Sequence, residues 1–231
     1  CIVFTYKVIF IKFKFMHNTV QKLIHIEKLV KSKETNLKKI TIIAISKTFK
    51  IDKILPVIEY GHLHFGENKV QEALEKWSEI KQKKPELQLH LVGKLQTNKV
   101  KFAVKIFDFI HSVDSEKLAK KIADEQLKQN KKIKIFLQIN LGNEDQKSGI
   151  SKNNLNNLFS YCKSLNLDVI GLMCIPPVND DPVPFFKELN KMNQGLNLQE
   201  LSMGMSSDYL QAIENSSTFI RIGSSIFGER N

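Results

Sequence analysis

Short apolar runs rich in β-branched residues recur along the chain, at 40–46, 62–65, 87–92, 107–112, 133–140, 167–174, 200–203 and 218–222. Between them the apolar positions open out to helical spacing. Val70, Leu74, Trp77 and Ile80 share one such face; Leu118, Ile122 and Leu127 are assigned to a second; Leu155, Leu158, Phe159, Cys162 and Leu165 form a third. Asp114-Ser115 and Ser151 suit helix N-caps, and Asp52 falls in the first turn of a helix that contains Pro56. Strand and helix therefore alternate eight times, which predicts a parallel sheet. Eight such units in 231 residues favour a single closed (β/α)8 TIM-type barrel over an open doubly wound sheet. No GxGxxG follows the first run and no GxxxxGK[ST] occurs in the chain, so neither nucleotide-binding signature supports the open alternative.

A barrel of this kind works at the C-terminal ends of its strands. Small and polar residues collect there in this sequence: Ser46-Lys47-Thr48 after the first run, HFGEN (64–68) at the second, and VGKLQTNK (92–99) at the third. HSVD (111–114) ends the fourth, and Asn140 with EDQKSGI follows the fifth. The last three give MCIPP (173–177), SMGMSSD (202–208) and RIGSSIFG (221–228). The final two turns, with Gly204, Ser206 and Ser207 and then Gly223, Ser224 and Ser225, offer backbone N–H groups and hydroxyls where barrels commonly hold a phosphate. Tight βα turns would use the same glycines for conformation alone.

Lys47 is the reactive candidate. An amine at the end of a buried strand is partly desolvated, which frees its lone pair, and such lysines form Schiff bases with carbonyls. Joined to a phosphate site, it leaves two ligand classes: a sugar phosphate, as in a lysine-dependent aldolase, or pyridoxal 5′-phosphate. Arg221 ends the last run, and an Arg or Asp usually partners the cofactor's ring nitrogen. An outward, ion-paired Arg221 is the competing reading. His62 and His64 share a strand face without a third ligand at metal spacing, which suits a structural pair better than zinc. Lys94, Lys99 and Lys147 lie at the working end as possible anion contacts. Glu67 and Asp114 read as capping or ion-paired groups, and Cys174 as a small core residue.

Composition adds limits. The net charge of +11 comes from 33 lysines and two arginines, Arg221 and Arg230, against 24 acidic residues. The lysines are dispersed, as solvated helix faces require, and do not form a nucleic-acid stripe. Three cysteines without CxxC spacing argue for a reducing compartment. Residues 1–15, CIVFTYKVIFIKFKF, are apolar but broken by three lysines and too short to span a membrane. They read as an N-terminal extension to a barrel over 16–231.

In order, AISKT, FGENKVQE, HLVGKLQTNK, FDFIHSVDS, QINLGNEDQKSGI, GLMCIPP, LSMGMSSDYLQAI and RIGSSIFGER resemble the motifs of the pyridoxal phosphate homeostasis family (YggS/PROSC-like proteins) from about Leu37 to Arg230. The resemblance implies an alanine-racemase N-terminal-domain-like barrel (fold type III) and a monomer. It places pyridoxal 5′-phosphate as a Schiff base on Lys47 and Asn68 near the ring. Ser206, Gly223 and Ser224 would hold the phosphate, and Arg221 would face the pyridine nitrogen. Lys69 stands for the family's usual Tyr, Lys94 for a Pro and Thr97 for a frequent Ser.

The expected function is cytoplasmic: a carrier of pyridoxal phosphate that passes it reversibly to other proteins, such as apo pyridoxal-dependent enzymes, without turnover. No catalytic residue and no metal are expected, nor a nucleic-acid or membrane partner. Racemisation needs a second base, which in two-domain racemases comes from another domain and subunit, and an Arg at the ring nitrogen weakens carbanion stabilisation. A pyridoxal-dependent, racemase-like enzyme is the alternative, and an aldolase or a nucleic-acid binder are the remaining ones.

Overall fold

The computed structural model describes residues 17–33, 39–142 and 148–229. The 1–15 segment, Met16, Leu37, Lys147 and Arg230 lie outside the described residues. Eight parallel strands close into one barrel in sequential order. They are β1 Thr41–Ile45, β2 His64–Glu67, β3 Gln88–Leu91, β4 Phe109–Val113, β5 Lys134–Ile139, β6 Asp168–Cys174, β7 Glu200–Met205 and β8 Phe219–Ile222. The first and last strands complete the ring, with Ile43 opposite Arg221 and Ala44 opposite Ile222.

Helix α1, Asn18–Lys31, precedes the barrel. The others follow strands in turn: α2 Ile51–Glu59, α3 Val70–Lys83, α4 Val100–Ile106, α5 Glu116–Gln129, α6 Leu155–Ser164, α7 Val183–Gly195, α8 Tyr209–Glu214 and the single-turn α9 Ser224–Phe227. Each of the eight sequence runs becomes a strand. The second starts two residues late, at His64, because the His62 backbone N–H instead bonds the Val57 carbonyl of α2 at 3.2 Å.

Two apolar layers hold the fold. Between sheet and helices lies the main core, with Trp77, Phe65, Leu89, Leu91, Phe107 and Phe186 fully buried. Inside the barrel a smaller cluster of Ile43, Ile45, Phe109, Phe136, Met173 and Phe219 fills the axis. This is the packed interior expected of eight tilted strands. A Cβ on Gly66 would approach Ile45 Cδ1 to 2.5 Å and the stiffer Ile43 Cγ2 to 2.9 Å, so the glycine leaves room for both side chains. On α5 the buried face is Leu118, Ala119, Ile122 and Ala123. Leu127, assigned to that face from the sequence, is 83% exposed. Five residues past Ile122 is about 140° round the helix from it, off the core face.

Candidate functional site

The strands' C-terminal ends surround a cavity of about 570 Å³. Lys47, Asn68, Ser206, Arg221, Gly223 and Ser224 all line it. So do Lys94, Gln138 and Asn140. Lys99 lies in a 3₁₀ turn, Thr97–Lys99, and is not among the lining residues.

Lys47 is half-buried in the turn after β1, and the turn is braced from β2 and α3. Ser46 is fully buried and donates through Oγ to Glu67 Oε1 at 2.7 Å. Lys76 Nζ donates to the Ser46 carbonyl at 2.8 Å and to Glu67 Oε1 at 2.9 Å. Glu72 Oε1 accepts the Thr48 N–H at 2.5 Å and Lys76 Nζ at 3.0 Å. Thr48 sits at φ +69°, a left-handed conformation unusual for a β-branched residue, and Glu72 holds it there. Glu67 is buried; desolvation raises its carboxyl above the usual range, against hydrogen bonds from Trp77 and Lys76 that lower it. It is the ion-paired group the sequence suggests.

Asn68 is placed by close backbone approach. A Cβ on Gly93 would come within 2.4 Å of the Asn68 carbonyl oxygen, so only glycine lets the β3 turn pass there. Across the cavity, the N–H of Met205 donates to Asp208 Oδ1 at 2.6 Å, closing the turn that presents Ser206. Ser206 Oγ accepts the Gly223 N–H at 3.3 Å, which ties the two glycine-serine turns together. Helix α9 is four residues long, so backbone N–H groups and hydroxyls, more than a macrodipole, are what this end offers.

Arg221 points inward and is 5% exposed, which excludes the outward ion pair. Its Nη1 donates to Ser202 Oγ at 2.8 Å and its Nη2 to the Cys174 carbonyl at 2.9 Å. Cys174 is buried as expected, with its thiol pushed up to about 12 by burial. His64 pairs with His90 at 3.0 Å, and His90 with His111 at 2.9 Å. His90 and His111 lie in quoted motifs on the third and fourth strands, but the sequence alone does not say which face of its strand each ring takes. No group of three or more His, Cys, Asp or Glu arranged to hold a metal occurs among the described residues. Nor is any described helix long and apolar enough to cross a membrane.

A parallel barrel with a lysine after β1, an inward arginine on β8 and small-residue turns after β7 and β8 defines a fold-type III class of barrel. The family model described as "Alanine racemase, N-terminal domain" matches residues 23–231. The alanine racemase of Clostridium difficile superposes with a TM-score of 0.71 over 92% of this chain and 56% of that one, at 13% identity, a likeness of fold. The pyridoxal phosphate homeostasis protein of Aquifex aeolicus is 38% identical over 199 residues, 82% of this chain and 86% of that protein. PipY of Synechococcus elongatus, in a structure with PLP bound, gives a TM-score of 0.82 at 32% identity, covering 91% of this chain and all of that one. The chain belongs to the pyridoxal phosphate homeostasis protein family.

Proposed function

We propose that this protein carries pyridoxal 5′-phosphate within the cell, holding it as a Schiff base on Lys47 and releasing it reversibly, with no turnover of its own. The observation that carries the reading is the sharing of one cavity by Lys47, Arg221 and the Ser206–Gly223–Ser224 cradle. The donor set fits the group: one amine, a cationic edge and a patch of hydroxyl and N–H donors, in a space of ordinary cofactor-site size. When bound, the cofactor supplies an aldehyde that condenses reversibly with a primary amine. Lys47 supplies that amine, held by the Ser46 and Thr48 contacts. Ser206, Gly223 and Ser224 would hold the phosphate, Arg221 would face the ring nitrogen, and Asn68 would line the ring.

The lining also supports a carrier over a racemase. Among the described lining residues the titratable groups are Lys47, Lys94 and Arg221, and no His, Tyr, Cys, Asp or Glu is present. Lys94 is exposed at the rim. A racemase needs two bases on opposite faces of the ring, and an arginine cannot be one of them. The reading extends to a cytoplasmic monomer whose recipients are apo pyridoxal-dependent enzymes.

The test is an absorption spectrum with borohydride reduction and peptide mapping, on wild type and Lys47→Ala. The expected result is visible absorbance and a reduced label on Lys47, both lost in the variant. An unchanged spectrum in the variant rejects Lys47. Exchange of an amino-acid α-proton in D₂O at enzymatic rates would establish the racemase-like alternative instead.

A further inference from the structure

Behind Arg221 the barrel axis carries a continuous hydrogen-bonded chain of residues outside the proposed cofactor-holding set. Arg221 Nη1 meets Ser202 Oγ at 2.8 Å, and the same oxygen meets His111 Nδ1 at 2.8 Å. His111 Nε2 meets His90 Nδ1 at 2.9 Å, and His90 Nε2 meets His64 Nδ1 at 3.0 Å. The members come from β8, β7, β4, β3 and β2, so the chain crosses the interior. Ser202, His90 and His111 are fully buried. His90 stacks on Phe109 with centroids 4.2 Å apart, and His111 on Phe136 at 4.3 Å, which fixes both rings.

The chain has a direction. A guanidinium only donates, so Arg221 claims a lone pair of Ser202. The hydroxyl proton then has one hydrogen-bond acceptor among the described residues, His111 Nδ1. An imidazole accepting at Nδ1 carries its proton on Nε2, and His111 passes that proton's bond to His90 Nδ1. His90 repeats the pattern to His64. In the opposite sense the Ser202 proton would be buried without an acceptor, which costs about 1–3 kcal/mol. The fixed charge of Arg221 is thereby relayed as three Nε2–H tautomers pointing away from it.

The chain is also free of negative charge. Both acceptors on Arg221, Ser202 Oγ and the Cys174 carbonyl, are neutral. Asp208, whose field reaches Arg221, makes no ion pair with it and instead binds the Met205 N–H. Burial keeps His111 neutral, and the Arg221 charge adds to that effect.

We propose that Ser202 and His111, backed by His90 and His64, are positioning residues that hold the Arg221 guanidinium against the cavity with its charge uncompensated, so that the cofactor's ring nitrogen stays unprotonated. This rests on the cavity holding pyridoxal phosphate, but its first readout does not. In the cofactor-free chain labelled with ¹⁵N-histidine, NMR shows Nε2–H tautomers at His64, His90 and His111 at neutral pH. Ser202→Ala removes the donor and mixes the His111 tautomers, and Ser202→Thr, which keeps a hydroxyl, restores them.

With ¹⁵N-labelled pyridoxal phosphate bound, the ring nitrogen resonates as unprotonated in wild type and Ser202→Thr. In Ser202→Ala and in His111→Phe, which keeps the stack on Phe136, its protonated fraction rises about tenfold, one pKa unit. An Nδ1–H tautomer at any of the three histidines, a protonated ring nitrogen in wild type, or a folded Ser202→Ala unchanged in both readouts overturns the proposal. Correct tautomers without a label on Lys47 would reject the carrier reading and leave the polarised chain standing.

Discussion

Lys76 reaches Glu67 at 2.9 Å beneath the turn that carries Lys47, with the carboxylate fully buried and the ammonium nearly so. The same ammonium holds the Ser46 carbonyl at 2.8 Å, so one buried ion pair fixes the backbone next to Lys47. Removing one partner of such a pair strands the other charge, at a cost of about 3–5 kcal/mol. Lys76→Met is therefore expected to lower the unfolding free energy measured by urea titration by that amount. It should also weaken pyridoxal phosphate retention in protein that remains folded. A variant within 1 kcal/mol of wild type, an arbitrary margin of roughly one neutral hydrogen bond, would mean that Glu67 does not need its cation.

At the other end of the cavity, Ser206→Ala removes the oxygen that holds the Gly223 N–H. A hydrogen bond of this kind contributes about 1 kcal/mol net, more where an anion is the final ligand. The expected outcome is roughly tenfold weaker binding of pyridoxal phosphate, with binding of unphosphorylated pyridoxal unchanged and Lys47 still labelled. Equal weakening for both vitamers would place the phosphate elsewhere.

Gly204 sits at φ +92°, and a Cβ there would meet the Ala212 Cβ at 2.6 Å. Gly204→Ala combines a disfavoured backbone with overpacking between β7 and α8, and a loss of about 1–3 kcal/mol is expected by chemical denaturation. An unchanged midpoint would contradict the tight β7–α8 contact.

The four linked or neighbouring histidines give the fold an acid limit. Burial, then the neighbouring His64, holds His62 down to about 4; burial, then Lys39, holds His64 down to about 4. Burial first, and then His111 for His90 and Arg221 for His111, keeps those two well below 6.5. Lys134 reinforces the effect at His64 and Asp108 opposes it. Below 6.5 the unfolded chain binds protons that the folded chain refuses. Stability is thus intact above that pH and is lost as pH falls from 6.5 towards 4, by about 1.4 kcal/mol per pH unit for each histidine. Denaturation curves between pH 7 and 4.5 would measure it, and His62→Gln should reduce the slope by about one proton. A flat profile across this window would contradict neutral, buried histidines.

Much of this molecule is written locally in its sequence. Runs such as 133–140 carry their own strand signal, and Lys47, Ser206 and Gly223 follow strand ends where a barrel puts its working residues. Orientation is harder to read. Arg221 could face either side of β8 by alternation alone, and only barrel closure turns it inward. Leu127 is apolar like its core neighbours, but its spacing from Ile122 turns it to the outer face, and α5 exposes it. The Ser202–His111–His90 chain left no local signature, because its members are single residues on three strands joined only by the cross-section of the barrel. Lys76 was hidden among 33 lysines, most of which sequence alone cannot tell apart from solvated ones.

The pairing of β1 with β8, Ile43 beside Arg221, has a consequence for biosynthesis. Lys47 follows β1 and is synthesised before Arg221 and Gly223, which lie on and just after β8, so the two sides of the cavity meet only when β8 docks on β1. A growing chain that has reached only β7 lacks that seam and the glycine-serine turn after β8. On the reading proposed above, retention of the cofactor would wait for the docking of β8, and before that step the Lys47 amine would stand without the residues that face it across the cavity.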